Sequence, residues 1–202
     1  VEYCEIYGCN SSVSPGYAHL MYMVSDSLTV RGCYLHNANY GQCLKTRSIT
    51  SLIEYNWLDT DGSEGFVAGV ASGNGSNSLF RGNVFVKRSA TGGQRGIFYV
   101  YDTSGSISGT VTMINNTFIS ATSSDIYLVH NTGSGANVVL KNNIFAGPSD
   151  TLLTWNVSYS QLSGNNNVVK PGMTVPAELT GSIVASDPGF VNLSTRNLHL
   201  LC

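Results

Sequence analysis

Charged side chains are scarce in this chain. Asp, Glu, Lys and Arg make up 11% of its 202 residues, whereas about a quarter is usual in soluble domains. The formal net charge of −2 argues against a general nucleic-acid binder, which would carry a basic stripe. A run of about 18 apolar residues is also missing, so we expect no membrane partner. The hydrophobic share of 42% still provides enough apolar side chains for one sizeable core.

Helical and metal-binding patterns are missing as well. Helix formers never cluster at a period of about 3.6 residues, and the hairpin turn signal Asn-Gly occurs once, at Asn74-Gly75. The five cysteines contain no Cys-x-x-Cys pair, so we predict no metal centre built on thiolates. The chain starts without Met and without a signal-peptide pattern, and we interpret it as a fragment or a processed chain of a larger protein.

A six-residue phrase recurs six times along the chain. Its first position is apolar: Val1, Val30, Ile53, Phe80, Met113 and Leu140. Its fourth position is small and polar: Cys4, Cys33, Asn56, Asn83, Asn116 and Asn143. Its sixth position is apolar again: Ile6, Leu35, Leu58, Phe85, Phe118 and Phe145. Successive fourth positions lie 23 to 33 residues apart, which indicates strands of constant length joined by loops of variable length.

Constant apolar columns at irregular spacing are typical of a solenoid. We predict an all-β, right-handed parallel β-helix of about six to seven coils, in which equivalent side chains stack about 4.8 Å apart. The amides of the Asn column would then hydrogen-bond from coil to coil as an asparagine ladder. A β-sandwich with Asn in its turns is the alternative, but it needs more hairpin signals. We assign residues 1–169 to the coils and residues 170–202 to a tail that packs on or caps the last coil.

Several motifs resemble a known family. The Asn column, the phrases Asn115-Asn116-Thr117-Phe118 and Asn142-Asn143-Ile144-Phe145, and the closing Asp187-Pro188-Gly189-Phe190 are similar to the pectate-lyase-like right-handed parallel β-helix proteins. That family includes polysaccharide lyases, hydrolases, epimerases, phage tailspikes and many secreted proteins. The resemblance therefore implies an extracellular or cell-surface protein whose partner is a polysaccharide.

A narrower resemblance covers the first two coils. Residues 18–22 and 41–48 are similar to segments of bacterial secreted β-helix proteins. In that subgroup a His stands at the place of Gln42, and an acidic residue appears in the next coil. Residues 65–71, which correspond to that next coil, carry no acid here. The chain thus departs from the subgroup at two positions of its expected site.

Ligands of a β-helix lie along an outer strand face, because its interior is filled with side chains. Strand alternation predicts that Lys45 and Arg47 point outward from one strand, about 7 Å apart. In the neighbouring coil we expect His19 to stack near Gln42 and Tyr22 to stack near Lys45. His19, Tyr22, Lys45 and Arg47 would form one compact patch, and these four are the candidate catalytic residues.

Such a patch suits an acidic polysaccharide. Arg47 offers a two-pronged partner for a uronate carboxylate. Lys45 is the candidate base for the proton next to that carboxylate, and the charge of Arg47 would lower the Lys45 pKa. Tyr22 or His19 would return a proton to the leaving oxygen. We therefore predict a lyase that cleaves an acidic glycan by β-elimination. A non-catalytic carbohydrate-binding or adhesin module and a structural segment of a larger surface protein are the alternatives.

Two further groups are candidates for binding. Tyr99 and Tyr101 would extend the sugar-binding strip, together with Gln42 and Arg47. Asp59, Asp61 and Glu64 lie in one loop and offer oxygens of the kind that calcium prefers, although the loop lacks the EF-hand pattern. No other cofactor is expected. A hydrolase with paired carboxylates is disfavoured, because the candidate face carries no pair of Asp residues.

Overall fold

The computed structural model describes residues 1–9, 17–60, 67–71, 77–88, 96–100, 107–130, 135–155, 159–186, 188–192, 195 and 197–200. Over these ranges the chain is built from 23 strands, and its only helical segment is the 3-10 turn Tyr159–Gln161. Three parallel sheets contain all but the last two strands. The all-β prediction is therefore confirmed.

Sheet I contains β3 (Ser27–Arg31), β6 (Thr50–Glu54), β9 (Asn77–Arg81), β12 (Thr110–Ile114), β15 (Asn137–Lys141), β18 (Leu162–Asn165) and β20 (Leu179–Thr180). Sheet II contains β1 (Glu5–Cys9), β4 (Tyr34–Ala38), β7 (Trp57–Thr60), β10 (Val84–Lys87), β13 (Thr117–Ile119), β16 (Ile144–Ala146), β19 (Val168–Val169) and β21 (Ile183–Val184). Sheet III contains β2 (Met21–Met23), β5 (Leu44–Thr46), β8 (Ala68–Val70), β11 (Gly96–Val100), β14 (Ile126–His130) and β17 (Thr151–Trp155).

Each coil passes through sheet III, then sheet I, then sheet II. Six successive coils of three strands run from β2–β4 to β17–β19. This is a parallel β-solenoid, and its coil count agrees with the prediction. Beyond residue 169, β20 and β21 add one more strand to sheets I and II, and β22 (Phe190–Asn192) pairs antiparallel with β23 (Asn197–Leu200).

The apolar columns of the repeated phrase form the interior. Phe85, Phe118 and Phe145 occupy equivalent positions in three coils, and their rings stack at centroid distances of 4.9 and 5.0 Å. The first column is also buried from Val30 onward, and Ile53 and Leu140, for example, have no exposed surface. Parallel pairing in register produces this stacking, because it places equivalent side chains directly above one another.

The ladder positions lie at the corner between sheets I and II. Asn56, Asn83, Asn116 and Asn143 each donate a side-chain hydrogen bond to the Oδ1 atom of the next member, at 2.9 to 3.0 Å, and Asn167 receives the last of these bonds. Each Oδ1 also accepts the backbone N–H of the preceding member, for example from Asn83 to Asn116 at 2.9 Å. All five amides are at most 2% exposed. The asparagine ladder therefore supplies hydrogen-bond partners to backbone groups that are buried at this corner.

Candidate functional site

Two neighbouring strands of sheet III carry the predicted site. β2 and β5 pair in parallel, with Tyr22 opposite Lys45. Thr46 is buried between Lys45 and Arg47, both of which are partly exposed. Alternation along β5 and into Arg47, which directly follows this strand, thus places both cations on the outer face, next to Tyr22 on the adjoining strand. The predicted placement of these three side chains is confirmed.

Tyr22 forms the centre of this group. The Lys45 Nζ atom lies 5.1 Å from the centroid of the Tyr22 ring, and the Arg47 Cζ atom lies 5.8 Å from it. Both distances are within the range of cation–π attraction. Tyr22 is still 49% exposed. We call His19, Tyr22, Gln42, Lys45 and Arg47 the cationic patch.

His19 lies at the edge of the Tyr22 ring, with 5.6 Å between the two centroids. Its Nδ1 atom accepts the backbone N–H of Gln42 at 3.1 Å, which confirms the predicted proximity of these residues. Burial, and to a lesser degree the charge of Lys45, lowers the pKa of His19 to about 4. The imidazole is therefore neutral near pH 7, and because Nδ1 is an acceptor its proton is on Nε2. His19 is thus a hydrogen-bond donor rather than a strong acid.

Two polar atoms of the patch are buried and lack a hydrogen-bond partner within the described ranges. They are Oε1 of Gln42, a residue that is 5% exposed, and Nε of Arg47. Buried polar atoms are nearly always paired, with protein, water or a ligand. One acceptor and one donor of the patch therefore lack a partner among the described residues, and neither atom is open to the surface.

Tyr99 does not extend this surface. Gly69 lies opposite Lys45 in register, and Tyr99 lies opposite Gly69 on the next strand. The Tyr99 ring occupies the space above Gly69, where an added Cβ would be 1.9 Å from its Cε1 atom. Tyr99 is consequently only 2% exposed, and its ring face is not open to a sugar, contrary to the expectation. Tyr101 lies outside the described residues.

The acidic loop offers one described carboxylate, that of Asp59. Both of its oxygens accept hydrogen bonds from the guanidinium of Arg88, and Asp59 is 1% exposed. This ion pair already engages the carboxylate that the calcium hypothesis requires. Asp61 and Glu64 lie outside the described residues. Within the part of the chain that the structure describes, no group of three metal-ligating side chains comes together.

Two open cavities occur in the C-terminal coils. One of about 410 Å³ is lined by residues that include Asp150, Leu153 and Glu178. Another of about 290 Å³ is lined by residues that include Phe145 and Lys170. Neither cavity includes a residue of the cationic patch. Asp150 is bound to Lys170 by an ion pair of 2.6 Å, so the first cavity does not offer two unengaged carboxylates for hydrolysis.

One charged column of the structure also has a signal in the sequence. The second position of the repeated phrase alternates between Glu2, Arg31, Glu54 and Arg81. In the structure, Glu54 is 2% exposed and accepts hydrogen bonds from both arginines. The alternation of sign at one phrase position was the signal that indicates this stacked ion-pair column.

Comparison of the chain with protein-family models, with curated proteins and with solved structures gives no match. The described residues contain no helix of the length and apolarity needed to cross a bilayer.

Proposed function

We propose that this chain is an extracellular, pectate-lyase-like protein that binds an acidic polysaccharide on the cationic patch and cleaves it by β-elimination. The observation that carries the proposal is the placement of Lys45 on β5 and of Arg47 directly after it, both within 6 Å of the Tyr22 ring centroid. Two cations and one exposed aromatic ring are the groups that a uronate residue needs: charge for its carboxylate and a flat surface for its ring.

The patch offers a group for each step of the reaction. Arg47 pairs with the uronate carboxylate and stabilises the negative charge that develops when the adjacent C–H bond breaks. Lys45, in its unprotonated form, takes that proton. A carbon–carbon double bond forms as the bond from carbon to the glycosidic oxygen breaks. Tyr22 then donates its hydroxyl proton to the leaving oxygen.

His19 has a different role in this scheme. A neutral imidazole whose Nδ1 is engaged by Gln42 is a weak proton donor in the acid–base sense, so Tyr22 is the better candidate acid. The Nε2–H group of His19 instead binds a hydroxyl or a carboxylate oxygen of the glycan. Oε1 of Gln42 is buried without a hydrogen-bond partner among the described residues, so a sugar hydroxyl reaches it only after the side chains that cover it move.

Binding without cleavage is the second candidate. It is favoured by the 49% exposure of Tyr22, because sites for proton abstraction usually exclude water. In that case the same five side chains hold an acidic glycan, and the chain acts as a carbohydrate-binding or adhesin module.

The test uses polygalacturonate and alginate with the wild-type chain and three variants. Binding is measured by calorimetry at two salt concentrations, and cleavage is measured by the ultraviolet absorbance of unsaturated sugar ends. We expect the affinity to fall as salt rises, since screening weakens exposed charge contacts. Arg47→Ala should lose most of the affinity. Lys45→Met should keep binding but lose about a hundredfold or more in rate.

Lys141→Met is the matched control, because Lys141 is an exposed lysine on sheet I. It should bind and cleave as the wild type does. Binding without any unsaturated product would favour the binding module. If no acidic glycan binds, the chain is not a polysaccharide-active protein at this patch.

A further inference from the structure

The corner next to the ladder carries one left-handed residue in each coil. Directly before the ladder position, φ lies between 54° and 64° at eight residues: Tyr3, Gly32, Tyr55, Gly82, Asn115, Asn142, Asn166 and Gly181. Gly and Asn adopt this conformation at low cost, whereas a bulky aromatic residue is strained in it. Asn fulfils the same backbone requirement in three other coils, so the solenoid does not require Tyr at positions 3 and 55. Strain of this kind points to a function of the side chain.

Both tyrosine rings are exposed and yet held in place. Tyr3 is 77% exposed and Tyr55 is 59% exposed. Each ring rests against the glycine of the next coil: a Cβ atom at Gly32 would lie 2.8 Å from Cδ1 of Tyr3, and one at Gly82 would lie 2.7 Å from Cδ1 of Tyr55. Because Tyr and Gly alternate along this column, each ring packs against a glycine and is held in one position at the corner.

The neighbouring column of charged side chains, at the second position of the repeated phrase, also contacts the Tyr55 ring, and its charges balance. Arg31 and Arg81 both hydrogen-bond to Glu54, and Glu2 binds Arg31 at 3.0 Å. The Arg81 Cζ atom lies 5.7 Å from the centroid of the Tyr55 ring. Two arginines thus face two glutamates, so the charges of these four side chains balance, unlike those of the cationic patch.

The spacing of the two rings follows from the register. Glu2 pairs with Arg31, and Arg31 pairs with Glu54, so Tyr3 and Tyr55 are two strand spacings apart, about 9.6 Å. This spacing is similar to the length of two sugar residues in an extended β-1,4-linked chain. Isolated rings at such intervals, with the partly exposed Arg31 and Arg81 in the adjoining column, suit sugar rings that stack on aromatic faces and present hydroxyls to polar neighbours.

We propose that Tyr3 and Tyr55 form a second glycan site, which binds a neutral, extended β-1,4-linked polysaccharide running along the solenoid axis. The site shares no residue with the cationic patch and does not depend on the proposed lyase function. A protein partner fits less well, because a stable interface needs about 800 Å² of contact on each side, and the glycines separate the two rings.

The experiment measures cellohexaose and cellobiose binding by isothermal titration calorimetry. Cellohexaose can reach both rings, whereas cellobiose can contact only one, so we expect cellobiose to bind about tenfold more weakly or worse. Tyr55→Asn should weaken cellohexaose binding about tenfold while keeping or raising the melting temperature, since Asn is less strained at this φ. That pair of results separates loss of binding from loss of folding.

Three controls make the test specific. Tyr55→Phe should retain affinity because it keeps the ring. Tyr7→Ala removes an equally exposed tyrosine, 62% exposed on β1, and should leave affinity unchanged. Raising the salt concentration should have little effect, because the side-chain charges of this corner balance. The proposal is overturned if the wild type does not bind cellohexaose, if Tyr55→Asn binds normally, or if binding is salt-sensitive and disappears in Arg47→Ala, which would place it at the cationic patch.

Discussion

Asn116→Ala tests how much the asparagine ladder contributes to stability. Asn116 is a middle member of the line and is 1% exposed. Its Nδ2 atom donates to the Phe80 carbonyl and to Asn143, both at 3.0 Å. Its Oδ1 atom accepts the backbone N–H of Asn83 at 2.9 Å and the Asn83 side-chain amide at 3.0 Å. Alanine removes all four hydrogen bonds and supplies no replacement.

The magnitude depends on which groups lose their only partner. The Asn83 side-chain amide still donates to the Ile53 carbonyl at 2.8 Å, and Asn143 Oδ1 still accepts the backbone N–H of Asn116 at 3.0 Å. The backbone N–H of Asn83, in contrast, is left buried and without its acceptor. One orphaned donor and the loss of three further bonds should together cost about 3 kcal/mol. That is a large share of the 5–15 kcal/mol or so by which a typical domain is stable.

Urea denaturation followed by circular dichroism is the assay. The midpoint should fall while the slope of the transition stays the same, since a change in slope would indicate a different unfolded state. Asn137→Ala is the matched control, because Asn137 is an exposed asparagine on β15, and its effect should stay within about 0.5 kcal/mol. If Asn116→Ala costs no more than this control, the ladder does not stabilise the fold and the reasoning is refuted.

Three further predictions concern buried groups. Burial lowers the pKa of Lys87 from 10.5 to about 8, so between these pH values the unfolded chain holds a proton that the folded chain lacks. The free energy of unfolding should therefore rise with pH from 8 to about 10, and denaturation curves of Lys87→Met should show no such rise. The Arg81 and Arg31 hydrogen bonds lower the pKa of Glu54, so the ionised carboxylate stabilises the fold above pH 4.5, and this stabilisation is lost as the pH falls through the folded pKa. Glu54→Gln should therefore reduce the loss of stability at acid pH, and an unchanged loss would contradict this role of Glu54. Gly69→Ala should displace Tyr99 and destabilise the fold by about 1–3 kcal/mol, whereas adding Tyr99→Ala should cost less than the sum of the two single changes, as measured by a double-mutant cycle in urea.

The repeated phrase determined the architecture. An apolar residue three positions before each small polar residue, and another two positions after it, can be buried together only if equivalent positions stack from coil to coil. The positions of Asn83 and Asn116 in the ladder, and of Phe85 and Phe118 in the core stack, follow from this pattern alone. The outward direction of Lys45 follows from local alternation, which needs no knowledge of the rest of the chain.

The tertiary structure decided which outward side chains are available. Tyr99 points outward by alternation, but Gly69 in the preceding coil leaves a space that its ring fills. In the sequence Asp59 is a possible calcium ligand, but in the structure its carboxylate is bound by Arg88, 29 residues further along. His19 is neutral because of burial, which no local pattern reveals. Loops of variable length separate these partners, so the sequence determines which column a residue belongs to, whereas only the assembled coils determine what lies beside it.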